Sequence, residues 1–459
     1  MRKLPISITI IFLLSLVYWS YLALTTRMDI VFDAIDYAST GRMLFSQGLV
    51  AFFKTGPHRE PLYPLLIAAS MSAGNLTGLA FVKVMAIFGI VILFLTQALT
   101  YKLLRLLNIR DDVSVLVLAY LALSPAFNNT AFSLFSEIAA LPLVLGVILT
   151  SYYSWEAIKQ NKEYTAFIYG ILLGLSLALA ALVKATFEFL TPVYLVIFFS
   201  MIFFTTKETI TKKLSLMLCI IAAASFFYVP ICGYKWLNRE YNGTFTITNR
   251  GPCLLYANTA RRMEPLTVKK FAEALAYIPG EGVCNSIFDP KECAFWSFQK
   301  CDGIASDKLN ELQSQHLSIE KENSTLVGLS AQKALHNPLQ YALMYFLEGI
   351  KMFFWESTQI GFVQYPHWLS KIYSIKAFNN GLRFFVSLIT LLAVVLLWCQ
   401  TLSPRRTNLG FLIAVLVFLY TLSFSFVTIV TRYAMPIAPL YPIAIGIWLD
   451  QILAPKKIN

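Results

Sequence analysis

Long apolar runs alternate with short charged connections along most of the chain. About 20 apolar residues suffice for a helix to cross the roughly 30 Å hydrocarbon core of a bilayer. On apolar length and charged flanks the sequence predicts ten spans, at about 5–25, 79–101, 112–126, 137–154, 165–183, 189–205, 214–231, 382–400, 409–429 and 434–452. The expected fold class is an all-α polytopic membrane protein. Met1-Arg2-Lys3 and the run that follows resemble the start of a signal peptide. The run is long enough to span and no small-x-small site ends it cleanly, so it is read as an uncleaved first helix.

Two stretches break the rhythm. Residues 26–78 carry Asp33-Ala34-Ile35-Asp36-Tyr37-Ala38 and then His58-Arg59-Glu60-Pro61-Leu62-Tyr63-Pro64. Read as a helix, 33–45 places Ala34, Ile35, Ala38 and Phe45 near one face. Asp33, Asp36 and Thr40 fall near the other, and Met43 and Leu44 interrupt the pattern. Such a helix lies in the membrane interface, and Pro61 to Ala73 reads as a half-helix dipping into the bilayer. Residues 232–380 form the second stretch. Its first part, 232–338, reads as a small polar domain. Asn337-Pro338 then opens an amphipathic run, Tyr341 to Trp355, read as an interfacial helix. The chain divides into 1–231, with the 26–78 loop, then 232–338, then 339–459.

Composition agrees. The 459 residues are 57% apolar and only 14% charged, against roughly 25% charged in soluble domains. The net charge of +12 raises the question of nucleic acid. The basic residues answer it: Arg2, Lys3, Lys102, Arg105, Arg110, Lys159, Lys162, Lys207, Lys212, Lys213, Arg405, Arg406, Lys456 and Lys457 all flank apolar runs. That is positive-inside bias, which places both termini in the cytoplasm. No basic stripe interleaved with aromatics appears, so no nucleic-acid role is assigned. The same layout puts Asp33, Asp36, Arg59, Glu137, Lys184 and Arg432 together on the opposite side. Ionisable groups held against a membrane usually mark function. Four cysteines, Cys253, Cys284, Cys293 and Cys301, fall in the polar domain, and an even number in an oxidising compartment points to two disulfides. Their spacing is unlike the tight pairs of zinc sites.

The run Asp33-x-x-Asp36-Tyr37, followed by Arg59-Glu60-Pro61-Leu62-Tyr63, resembles the GT-C superfamily of membrane glycosyltransferases. It is most similar to the branch holding protein O-mannosyltransferases, the aminoarabinose transferase of lipid A and the lipopolysaccharide-core transferases. Ser136-Glu137 and Arg432-Tyr433-Ala434-Met435-Pro436 fit the same family pattern. The resemblance covers the membrane part; 232–338 resembles nothing assignable. It implies transfer of a sugar from a polyprenyl-phosphate donor to a glycan, lipid or protein acceptor. The setting would be the outer face of the plasma (inner) membrane, periplasmic or extracellular, among membrane lipids.

By that resemblance Asp33 is the catalytic base, with Asp36 the alternative. Arg59 binds the donor phosphate, with Arg432, Tyr433 and Lys184 as further candidates. Tyr37, Glu137 and His58 would touch or orient the acceptor. For Glu137 the competing reading is a structural salt bridge, for Arg432 a snorkelling anchor, and for Lys184 an i,i+4 ion pair with Glu188. His58 stands where some relatives carry a metal-site Glu, which leaves open whether a divalent metal takes part. The reading outside the enzymes is a polytopic lipid or glycan transporter or flippase, which predicts mid-span charges and repeated halves.

Overall fold

The computed structural model describes residues 5–205, 210–356, 362–401, 407–427 and 430–453. The first half holds α1 (Ile6–Thr25), β1 (Arg27–Met28), α2 (Asp33–Lys54), α3 (Leu62–Thr77), α4 (Phe81–Leu106), α5 (Asp111–Leu123), α6 (Pro125–Phe132), α7 (Glu137–Lys159), α8 (Glu163–Val183), α9 (Thr186–Thr205) and α10 (Ile210–Asn242). The polar segment holds α11 (Arg250–Arg262), α12 (Val268–Tyr277), α13 (Glu281–Asn285), α14 (Pro290–Cys293), α15 (Phe298–Gln313) and α16 (Ile319–His336). Then come α17 (Pro338–Gly349), β2 (Val363–Gln364), α18 (His367–Tyr373), α19 (Lys376–Thr401), α20 (Asn408–Ser425), a 3-10 turn at Thr431–Ile437 and α21 (Leu440–Leu453).

Among the described residues, eight helices are long and apolar enough to cross a membrane: α1, α4, α7, α8, α9, α10, α19 and α20. Two bent pairs bring the number up to ten: α5 with α6, at 45°, and the Thr431–Ile437 turn with α21, at 70°. The chain is a multi-pass membrane protein whose apolar helices fall on the expected spans. Only α10 differs much, running to Asn242 instead of ending near 231.

The first bend follows from Ser124-Pro125. Proline cannot continue the preceding helix, and the freed N–H groups of α6 need partners. Ser124 Oγ accepts from Phe127 N at 3.4 Å. The buried Glu356 carboxylate accepts from Ala126 N at 2.9 Å, from Ser124 Oγ at 2.8 Å, and from Tyr120 Oη. Inside the bundle, small and polar residues set the packing. Gly170 and Gly174, one turn apart on α8, let α10 approach: a Cβ at either would lie 2.7 Å from Cys219 O or 2.4 Å from Ala223 O. Gln97 of α4 donates to Ser15 Oγ of α1 at 2.8 Å and to Leu118 O of α5 at 3.0 Å.

The segment after α1 is pinned by a two-residue ladder, with Arg27 opposite Gln364 and Met28 opposite Val363. It leads into α2, whose buried face is Ala34, Tyr37, Ala38, Gly41 and Leu44. This corrects the expected face. Ile35 and Phe45 are exposed, and Leu44 is buried on what had read as the polar side. Both faces of an interfacial helix meet apolar surroundings, so side-chain polarity alone does not fix its rotation. A Cβ on Gly41 would clash with Ile67 of α3, so the face also follows from where α3 packs. At about 1.5 Å per residue, the 12 residues of α17 fall well short of a bilayer. The helix gives way to a 3-10 turn at Ile350–Phe353, so the run read from 341 does not form a crossing helix.

The disulfide expectation is half corrected. Cys284 and Cys293 are bonded, whereas Cys253 and Cys301 are free thiols. Cys253 Sγ is aimed at the carbonyl of Ala305, 3.5 Å away and one helical turn beyond Cys301 on α15.

Candidate active site

The charges singled out from the sequence converge at one end of the bundle. Asp33 opens α2, where a carboxylate is favoured by the helix dipole. The residue before it, Phe32, sits at φ 50° and turns the chain sharply into the helix. Asp33 Oδ1 accepts from Arg59 Nη2 at 2.7 Å, and Asp36 Oδ2 accepts from the same nitrogen at 2.6 Å. Asp33 Oδ2 accepts from Arg432 Nη2, 399 positions away in sequence. Arg250 Nη2 lies 3.9 Å from Asp33 Oδ1. Burial alone would raise the Asp33 carboxyl, but the guanidiniums of Arg432 and Arg59 outweigh it and hold it well below the usual carboxylate range.

A second ion pair sits beside the first. Glu137 opens α7 and is 2% exposed. Its Oε1 accepts from Lys184 Nζ at 3.0 Å and lies 3.9 Å from Arg432 Nε. Lys184 therefore does not pair with Glu188, which accepts instead from Lys235 at 2.6 Å. The reason is geometric: Lys184 is extended at φ −142° between α8 and α9, so 184 and 188 share no helix face. Aromatic rings complete the framework. The Arg59 guanidinium lies 4.8 Å from the Tyr37 ring centre, and Arg432 lies 4.5 Å from Phe135 and 5.7 Å from Tyr433. Tyr37 Oη is 2.9 Å from Ser136 Oγ, which explains why Ser136-Glu137 sits where it does.

These groups line a cavity of about 670 Å³. Much of the remaining lining is apolar, with Phe189 and Val193 from α9, Leu254 and Leu255 from α11, Val327 from α16 and Phe426 after α20. Phe189, Val193 and Phe426 are also exposed at the rim. Eight charged residues form the wall, four acids (Asp33, Glu60, Glu137, Glu188) and four bases (Arg59, Lys184, Arg250, Arg432), so the cavity is neutral as it stands.

Of the expected residues, Asp33, Tyr37, Arg59, Glu137, Lys184, Arg432 and Tyr433 share this wall. Asp36 is not part of the wall, and its side chain is 62% exposed. His58 is exposed and away from the wall. Among the described residues no three His, Cys, Asp or Glu side chains are grouped as a metal would require. The residues that the resemblance offers a divalent metal do not fit one. Two wall residues were not singled out from sequence. Glu60 accepts from Ala185 N at 3.2 Å, and its place beside Arg59 was the available signal. Arg250 opens the polar segment, where no motif marks it. A search against protein-family models and curated proteins finds no match to this chain.

Proposed function

We propose that the chain is a GT-C type glycosyltransferase. It moves one sugar from a polyprenyl-phosphate donor to an acceptor hydroxyl, with inversion. The observation that carries this is one cavity whose lining joins a carboxylate, several phosphate-competent cations and many apolar side chains. A lipid phosphate sugar has that shape, with an apolar tail, a single anionic junction and a polar head. Arg59, Arg432 and Arg250 would hold the phosphate, since guanidinium matches phosphate geometry. The tail would run over Leu254, Phe189 and Val193.

In the reaction the acceptor oxygen bonds to the anomeric carbon from the face opposite the phosphate. The acceptor proton passes to Asp33. The old carbon–oxygen bond breaks, and its electron pair leaves on the lipid phosphate, where the arginines stabilise it. Asp33 is preferred to Asp36 as the base because Asp33 lines the cavity, whereas Asp36 is not part of its wall and is mostly exposed. Glu137 and Lys184 form an ion pair that fixes Arg432 and orients the acceptor. The active face is the one opposite the short cationic connections.

The test is turnover of a polyprenyl-phosphate sugar by the purified protein. Asp33→Asn should slow transfer by about 10²–10⁴, the contribution of a positioned base, without loss of donor binding. Arg59→Ala should weaken donor binding as well as turnover. No consumption of any such donor, or transfer undiminished in both Asp33→Asn and Asp36→Asn, overturns the reading. In that event transport of the same lipid across vesicles becomes the measurement to make.

A further inference from the structure

We propose that Asp33 and the ligand's phosphate compete for the same two guanidiniums, so that the site is held closed to acceptor chemistry until a phosphate draws Arg59 and Arg432 away from Asp33. This rests on the transferase reading and adds a gate to it.

The geometry is specific. Both oxygens of Asp33 are taken, Oδ1 by Arg59 at 2.7 Å and Oδ2 by Arg432. Each arginine gives its Nη2 to Asp33, while the buried Nε of Arg432 has no hydrogen-bond partner. Arg59 is 6% exposed, and its Nη2 is shared between Asp33 and Asp36. Arg432 lies close to the rings of Phe135 and Tyr433, so it offers a ligand its edge, and that edge donates to Asp33. Among the described residues the wall's charges cancel, four against four. A phosphate that takes Nη2 of either arginine therefore displaces a carboxylate already bound there.

Displacement has a chemical consequence. A carboxylate held by two guanidiniums is a weak proton acceptor, because protonation would forfeit both pairs. Once the phosphate takes the arginines, Asp33 regains a free lone pair beside the anomeric carbon. After transfer, Asp33 carries the acceptor's proton while the arginines hold the lipid phosphate. When that product leaves, the arginines return to Asp33 and its proton goes to water. The base is thus competent only while a phosphate is present, which fixes the order as donor first and acceptor second.

The consequence for binding is opposite to that of an ordinary ligand contact. Removing the Asp33 charge should free the arginines and tighten phosphate binding. The experiment measures dodecyl phosphate binding to the purified full chain in detergent, by calorimetry, with inorganic phosphate in parallel. Asp33→Asn is expected to bind dodecyl phosphate about tenfold tighter than wild type, the lower end of what a hydrogen bond to a charged group contributes. Asp33→Glu, which keeps the charge, should bind close to wild type. Asp36→Asn frees only one partner of Arg59 and should tighten binding by a smaller factor. If Asp33→Asn fails to fold, Asp36→Asn carries the test alone.

Unchanged or weaker binding in the Asn variant overturns the gate and leaves the transferase reading standing. If wild type and all variants fail to bind dodecyl phosphate, both fall together.

Discussion

Lys351→Met should make the protein more stable at neutral pH, although it deletes an ion-paired lysine. Glu348 is 2% exposed and is met by three cations. It accepts from Arg261, from Arg262 Nε at 2.6 Å and from Lys351 Nζ at 3.4 Å. Burial opposes the Glu348 charge, but Arg261 and Arg262 hold the carboxyl well below its ordinary value. Lys351 is the surplus cation. Burial pushes its ammonium down from 10.5 to about 8, against the pull of Glu348 and with added repulsion from Arg261. At roughly 1.4 kcal/mol per pH unit, that fall corresponds to about 3 kcal/mol lost from the folded state when Lys351 is charged.

The direction with pH follows from proton counts. Below pH 8 the lysine is charged in both states, and the folded protein bears the whole penalty. Between pH 8 and 10.5 the folded state has released a proton that the unfolded chain still holds, so wild-type stability rises with pH. Methionine has similar length and no charge. It loses the 3.4 Å contact to Glu348 and the placement over Tyr277, so the net gain at pH 7 should be about 1–3 kcal/mol. Thermal unfolding of the detergent-purified variants at pH 7 and pH 9.5 measures it. The methionine variant should melt a few degrees higher at pH 7, and its advantage should shrink at pH 9.5. A lower melting temperature at pH 7, or an advantage equal at both pH values, refutes the surplus-cation argument. Glu348→Gln should act in the opposite sense and cost about 3–5 kcal/mol, because it leaves three buried cations without an anion.

Mass spectrometry of the non-reduced protein should find one bridge, Cys284–Cys293, and alkylatable thiols at Cys253 and Cys301; a Cys253–Cys301 bridge would overturn their assignment as free thiols. Closing that short loop should stabilise by about 3 kcal/mol in the chain-entropy model, read as the melting shift on reduction. Glu356→Ala should cost about 1–3 kcal/mol by leaving the buried donors at the α5–α6 bend without an acceptor, and a neutral effect on melting would show that the bend needs no carboxylate. Single cysteines placed at Asn310 and Lys159 should label from opposite sides of the membrane; labelling from the same side would overturn the topology.

The spans were legible because a membrane helix needs only length and apolarity, and both can be read along the chain. Ser124-Pro125, near the expected end of the third span, is where α5 gives way to the bent α6. The site's members were legible for a related reason: an ionisable group beside apolar spans stands out against a sparse background of charge. Asp33, Arg59, Glu137, Lys184 and Arg432 were each conspicuous for that reason, and one cavity wall holds all five. Arg250 was not conspicuous, because it sits in a polar segment where charges are ordinary. The same holds for Arg261 and Arg262, which are buried within a stretch whose composition reads as solvated, while their partners Glu348 and Lys351 lie in the run read as an interfacial helix.

Pairing was a different matter, because it is decided in three dimensions. Lys184 and Glu188 stand four apart, the spacing of a helical ion pair, yet each pairs with a residue 47 positions away. The helix that would have joined them ends at Val183, and a new one starts at Thr186. Asp33 likewise depends on Arg432, near the far end of the chain, for half of its partnership. A sequence can nominate charges singly, but the gate inferred here depends on Asp33 being held from two sides at once. One side comes from the loop after α2 and the other from the turn before α21. The pairing of Asp33 with both arginines is therefore assembled only when the first and last thirds of the chain have packed together.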